Sequence, residues 1–322
     1  MKAAEIERYL EAVDRVSSWN RLKFDKLRVV LTQMQKEGID YILLKGADVI
    51  PRLYGVLGLR ALGDVDVLVH EADLPALDQL LTRLGYRPQI DGNPAYVDRD
   101  GILALDIVTH VWYVPDQTHL WRRAVQRHFA GITIRGLGAS DLLVYLTAYN
   151  VVHRGYLSAS FARDIAFLVE KEDIDWDFVV DAARRYHLKT PIYHGLSFVA
   201  RRWVDVPIPD HVLRRLAPST VIDRLRLLVF AKLVTDKQVA EVGHLLLFLT
   251  QPGLKKWRWL RDAFFPSAAF LKYRYGDRGE AHAFWTRLSR PFYLLSQAVR
   301  LVIRIMRLSN RAPRPRNDAF GR

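Results

Sequence analysis

The sequence predicts an α+β chain in which a small α/β domain, a mixed sheet with flanking helices, is followed by a helical domain. Three observations predict it. Short apolar runs at 40–45, 64–69 and 102–108 alternate with helical stretches over the first 139 residues. From about Ser140 glycine becomes scarce and the apolar period is helical as far as about 250. Half of the 322 residues are hydrophobic, enough for one large core or two modest ones. The expected organisation is 1–139, 140–290 and a separate tail, 291–322.

Residues 1–37 read as two helices with a break near Ser17–Asn20, and Leu22, Leu27, Val30 and Leu31 supply an apolar stripe. Gly38 ends the second helix, and Asp40–Lys45 has the content of a buried strand. Gly46 opens a helical or looped stretch to 63 that also carries Gly55, Gly58 and Gly63. Asp64–Val69 alternates acidic and apolar residues, a strand with both carboxylates on one face. Leu74, Leu77, Leu80, Leu81 and Leu84 predict a helix over 71–84, stopped by Gly85. The run Ile102–Val108 carries a further acid, Asp106, directed away from its neighbours Leu105 and Ile107. Ser140-Asp141 reads as the N-cap of Leu142–Val152, and Asp175 as that of Trp176–Tyr186.

Composition excludes several classes of chemistry. With no cysteine, disulfides, thiol nucleophiles and Cys-ligated zinc are ruled out, and a reducing cytoplasm fits best. No two histidines have the i, i+4 metal-ligand spacing that a zinc site combines with a carboxylate, so a zinc site is not expected. The N-terminus lacks the apolar core of a signal peptide, and no run of about 18 apolar residues occurs. The expectation is a soluble, cytoplasmic protein. The net charge of +13 is uneven: residues 251–322 hold 16 Lys/Arg against 4 Asp/Glu, leaving 32 against 31 in 1–250. A near-neutral body gives no argument for nucleic acid. In 291–311, Arg300, Arg304, Arg307 and Arg311 share one helical face beside Val299, Leu301, Val302, Ile303, Ile305, Met306 and Leu308. That basic amphipathic helix suits peripheral contact with an anionic membrane, or docking on the protein's own body or a partner; RNA ranks third.

The acids carry the chemistry. Transfer of phosphoryl-type groups needs carboxylates close enough to share hard, oxygen-preferring cations. Asp64 and Asp66 lie about 7 Å apart along one strand face, and Asp106 joins them if its strand is adjacent. Lys45-Gly46 ends the preceding strand in a turn where the backbone can approach a phosphate, with Lys45 adding a point charge and Arg60 a second contact. Asp64 as a strand cap, with Lys45 and Gly46 as ordinary turn residues, is the plain alternative.

Read together, Leu44-Lys45-Gly46, Tyr54, Arg60 and Asp64-Val65-Asp66-Val67-Leu68-Val69 resemble the polymerase-β-like nucleotidyltransferase superfamily, most of all its uncharacterised bacterial branch. His153, Phe161-Ala162-Arg163-Asp164-Ile165, Ile174-Asp175-Trp176 and Phe264-Phe265-Pro266-Ser267 extend the resemblance over most of 40–290. The chain departs from the wider superfamily at Ala47, where a serine usually follows the glycine, and in its long interval from Gly46 to Asp64. Asp106 is followed only at a distance by His110 and Trp112. The resemblance implies transfer of a nucleoside monophosphate from an NTP to an acceptor, with Asp64, Asp66 and Asp106 holding Mg²⁺ (or Mn²⁺) and Lys45, Gly46 and Arg60 holding the triphosphate. His153 and Asp164 are candidates for acceptor or nucleotide contacts, or for a helix-packing pair. A silent nucleotide-binding protein and a phosphotransferase using the same metal site are the alternatives. Acceptor, base and oligomeric state stay open.

Overall fold

The computed structural model describes residues 3–90, 94–203, 205–236 and 242–250, with isolated positions at 261, 292 and 296. The tail read as a basic amphipathic helix, 291–311, and Phe264–Ser267 therefore lie outside the described residues, save positions 292 and 296. Among the described residues no helix is long and apolar enough to cross a membrane.

One long helix opens the chain, α1 (Ala3–Lys36). It is followed by β1 (Tyr41–Leu44), α2 (Gly46–Leu53), β2 (Val65–Val69), α3 (Leu74–Arg83), β3 (Arg87–Ile90), β4 (Pro94–Val97) and β5 (Ala104–Val108). Then come α4 (Thr118–Arg123), β6 (Val125–Phe129) and β7 (Ile132–Gly136). The remainder is helical: α5 (Ala139–Ala148), α6 (Ala159–Lys171), α7 (Trp176–Arg185), α8 (Lys189–Arg202), α9 (Asp210–Leu216), α10 (Val221–Leu233) and α11 (Val242–Thr250). The α+β reading thus holds.

The sheet is mixed, with strand order β3-β4-β5-β2-β1-β7-β6. β2 runs parallel to β5 and antiparallel to β1, while β1 runs parallel to β7. Strand alternation assigns its two faces to different partners. Leu43, Val65, Val67, Leu105 and Ile107 pack beneath Leu27, Val30, Leu31 and Met34 of α1 and Leu77, Leu80 and Leu81 of α3. Ile42, Leu44 and Leu68, on the other face, join α2 and the helical part in one continuous core. Each fully buried leucine contributes about 1.5–3 kcal/mol relative to an exposed one, so the sheet is fixed from both sides. Asp66 has the parity of Leu68 and therefore faces the helical part.

Four readings need correction. Ser17–Asn20 is no helix break. Asn20 is buried within α1 because its amide serves another segment: Nδ2 donates to the carbonyls of Leu57 and Arg60 at 2.6 and 2.7 Å, and Oδ1 accepts from Leu62 N–H at 2.9 Å. Ser17 is small because Gly58 packs on it; a Cβ at Gly58 would run into the Val13 carbonyl and Ser17 Oγ. Leu22 is exposed rather than part of the stripe. The helix expected over 71–84 begins as a single 3₁₀ turn, Glu71–Asp73, before α3. Ser140 and Asp141 do not cap α5, which starts earlier, at Ala139. Ser140 Oγ instead accepts from Asp175 N–H, and Asp141 pairs with Arg123. Asp175 does cap α7, accepting from Phe178 N–H. Strands β3, β4, β6 and β7 were not anticipated.

Candidate active site

Register builds the acid cluster. Leu44 of β1 lies opposite Asp66, and Asp66 lies opposite Asp106 across the parallel pair β2–β5. Asp64 stands just before β2 and is exposed, Asp66 is buried, and Asp106 is half-buried. One carboxylate oxygen from each lies within 4.8 Å of the others. Burial, a hydrogen bond with Asp64 and the nearby charges of Asp64 and Asp66 push Asp106 up to about 7. Burial chiefly, with Asp64 adding, also holds Asp66 above the ordinary carboxylate range, against the pull of Lys45. Three hard oxygen donors gathered with too little positive charge make a set that a divalent cation fits.

Among the described residues, the cation that touches this set is Lys45. Its Nζ donates to Asp66 Oδ1 at 2.5 Å and stands 3.8 Å over the Tyr149 ring. Burial works against its charge, yet Asp66 and Tyr149 keep the ammonium above the usual lysine range. Its backbone is at φ 52 and ψ −131, a conformation that costs a non-glycine residue about 1–3 kcal/mol. Gly46 follows as the first residue of α2, where amides have no intrahelical acceptor and point out of the helix end. Leu62 lies against Gly46, leaving little room for a side chain there.

Arg60 and Asp164 meet each other. Arg60 Nε and Nη2 reach the Asp164 carboxylate at 3.1 Å each, Nη1 donates to the Ala61 carbonyl, and Tyr54 Oη donates to Asp164 at 2.6 Å. With Arg163 Nη1 on the Leu59 carbonyl, this clasp ties the segment before Asp64 to α6. Asn20 and Lys23, which donates to the carbonyls of Leu62 and Gly63, hold the same segment from α1. Asp64 is thus delivered by a loop held from both sides. His153 is exposed, stacked on Tyr149 and edge-on to Trp112, while His110 is exposed after β5. Asn20, Tyr149 and Lys23 escaped the sequence reading. The i, i+4 row Tyr145, Tyr149, His153 was legible there in principle.

Asp66 and Asp106 on adjacent strands, Asp64 just before β2, a strained lysine–glycine turn at the next strand end and a helical wall opposite make up the candidate site. The particular class follows from comparison. The family model described as "uncharacterised nucleotidyltransferase" matches residues 3–204, and the chain belongs to that family of nucleotidyltransferases. No curated protein matches it in sequence. Among solved structures, it is similar to the lincosamide antibiotic adenylyltransferase LnuA with lincomycin bound, at 17% identity over 45% of this chain and 94% of that one, with a TM-score of 0.36. It is also similar to an antigenic nucleotidyltransferase-like protein from Paracoccidioides brasiliensis, at 16% identity over 59% of this chain and 93% of that one, with a TM-score of 0.41.

Proposed function

We propose that the protein moves a nucleoside monophosphate from an NTP to an acceptor hydroxyl or phosphate, releasing pyrophosphate. The observation that carries this reading is the in-register placement of Asp66 and Asp106 with Asp64 beside them, in a chain of this family. Asp64, Asp66 and Asp106 would hold Mg²⁺ (or Mn²⁺), which when bound neutralises and polarises phosphoryl oxygens. The Gly46 and Ala47 amides at the start of α2 donate to the triphosphate, and Lys45 offers it a point charge. Asp106 accepts the proton of an acceptor hydroxyl. The acceptor oxygen then bonds to the α-phosphorus as the bond from that phosphorus to the bridging oxygen breaks. Arg60 acts by holding the loop that delivers Asp64, through Asp164 and Tyr54.

The test is transfer of label from NTP, with Mg²⁺ and a fractionated extract of the source cell as the supply of acceptors. Label at the α position is expected on the acceptor and is lost with Asp64→Asn. Transfer of γ-label instead would make the protein a phosphotransferase. No transfer would favour a nucleotide-binding role, for which Ala47 in the usual serine position is the supporting observation.

A further inference from the structure

We propose that Tyr149 and His153 form a stacking wall for the base of the nucleotide; this rests on the nucleotidyl-transfer reading above. Helix α5 runs without a stop into a π-helical turn, Tyr149–Arg154, which ends at Gly155 in the left-handed conformation. Such turns within helices recur at functional sites because they re-aim the side chains they carry. Here the aimed side chains are rings. Tyr145 and Tyr149 stack with centroids 6.1 Å apart and planes at 21°, and Tyr149 and His153 at 5.6 Å and 18°.

The row starts at the acid cluster and leads outward. Lys45 Nζ, bonded to Asp66, sits over Tyr149; Tyr145 is buried, Tyr149 half-buried and His153 exposed. The row ends at the surface, at the exposed His153. The platform is also held firmly: Gly243 of α11 lies against the His153 carbonyl with no space for a Cβ. Trp112 stands edge-on to His153 at 5.2 Å, and its Nε1, sealed from solvent, donates to nothing among the described residues.

β1, β2 and β5 lie side by side, so Lys45 and Asp106 flank Asp66 from opposite sides. Asp106 is assigned to the acceptor, and the wall begins on the Lys45 side, next to the groups that hold the triphosphate. Stacking of this sort accepts any base, since each presents a π face. The wall therefore takes a nucleobase as a class.

The experiment is equilibrium binding to the full chain in Mn²⁺, using the α,β-methylene analogues of ATP, GTP, CTP and UTP and, separately, inorganic tripolyphosphate. His153→Ala is expected to weaken the tightest nucleotide about 10-fold, from the usual strength of base–aromatic stacking. His153→Phe is expected to restore it, and tripolyphosphate affinity is expected to be the same in all three proteins. Unchanged nucleotide affinity in His153→Ala overturns the wall, as do equal losses for nucleotide and tripolyphosphate. A wild-type protein that binds neither ligand overturns the nucleotidyl-transfer reading together with the wall, and so is distinguishable from failure of the wall alone.

Discussion

Replacing Asn20 by leucine removes a polar hub while keeping its branched shape. Asn20 is 1% exposed and makes three hydrogen bonds to the 57–62 segment, at 2.6, 2.7 and 2.9 Å. Each is worth about 0.5–1.5 kcal/mol net, so the expected loss is about 3 kcal/mol, and more if the Leu62 amide stays dry without an acceptor. At about 2–4 °C per kcal/mol for a domain of this size, the melting temperature falls by roughly 6–12 °C. The segment leads directly into Asp64, so Mn²⁺ affinity is expected to fall as well. Thermal unfolding followed by circular dichroism and a Mn²⁺ titration on the same sample measure both. A drop below about 2 °C would refute the hub, because it is smaller than one hydrogen bond's worth. A large drop with unchanged Mn²⁺ affinity would separate the hub from the site.

Two further outcomes follow from the charged groups. Arg60→Met strands the buried Asp164 with Tyr54 alone and is expected to cost about 3 kcal/mol in thermal unfolding. Adding Asp164→Leu is expected to restore much of that loss, whereas additive losses would show that the two residues do not act as a pair. The third outcome concerns pH. Asp106, pushed up to about 7, is protonated below that value and must lose its proton to bind a cation. Mn²⁺ affinity is therefore expected to rise with pH up to about 7 and then level off, dropping about 10-fold per unit below it. A flat profile between pH 5.5 and 8 would remove Asp106 from the ligand set.

The centre of the fold was legible because its signals are local. Asp64–Val69 and Ile102–Val108 show a strand period that any buried central strand must keep, and Gly38 and Gly85 stop helices in left-handed conformations. The two edge strands were not legible: Arg87–Ile90 carries proline, and Val125–Phe129 is mostly polar and exposed, as edges can be; the short inner strand Pro94–Val97 also opens on a proline. Asn20 misled because a polar residue within a helix has the composition of a cap, and only the distant 57–62 segment explains it. The acid cluster was visible as a motif, but its closure depends on Asp66 pairing with Asp106, a register that no local pattern states. Arg60 and Asp164 were both visible; that they grip each other required the packing of α6 against the loop.

Asp64, Asp66 and Asp106 are proposed together as the cation site of a nucleotidyltransferase. Electron paramagnetic resonance of Mn²⁺ titrated into the full chain at pH 8 tests it without knowledge of the acceptor. The wild type is expected to bind Mn²⁺, with Mg²⁺ competing, and Asp66→Asn to lose at least about 10-fold in affinity, since even residues behind the ligands commonly cost that much. Asp66→Asn binding Mn²⁺ as tightly as the wild type would show that these acids are not the cation site.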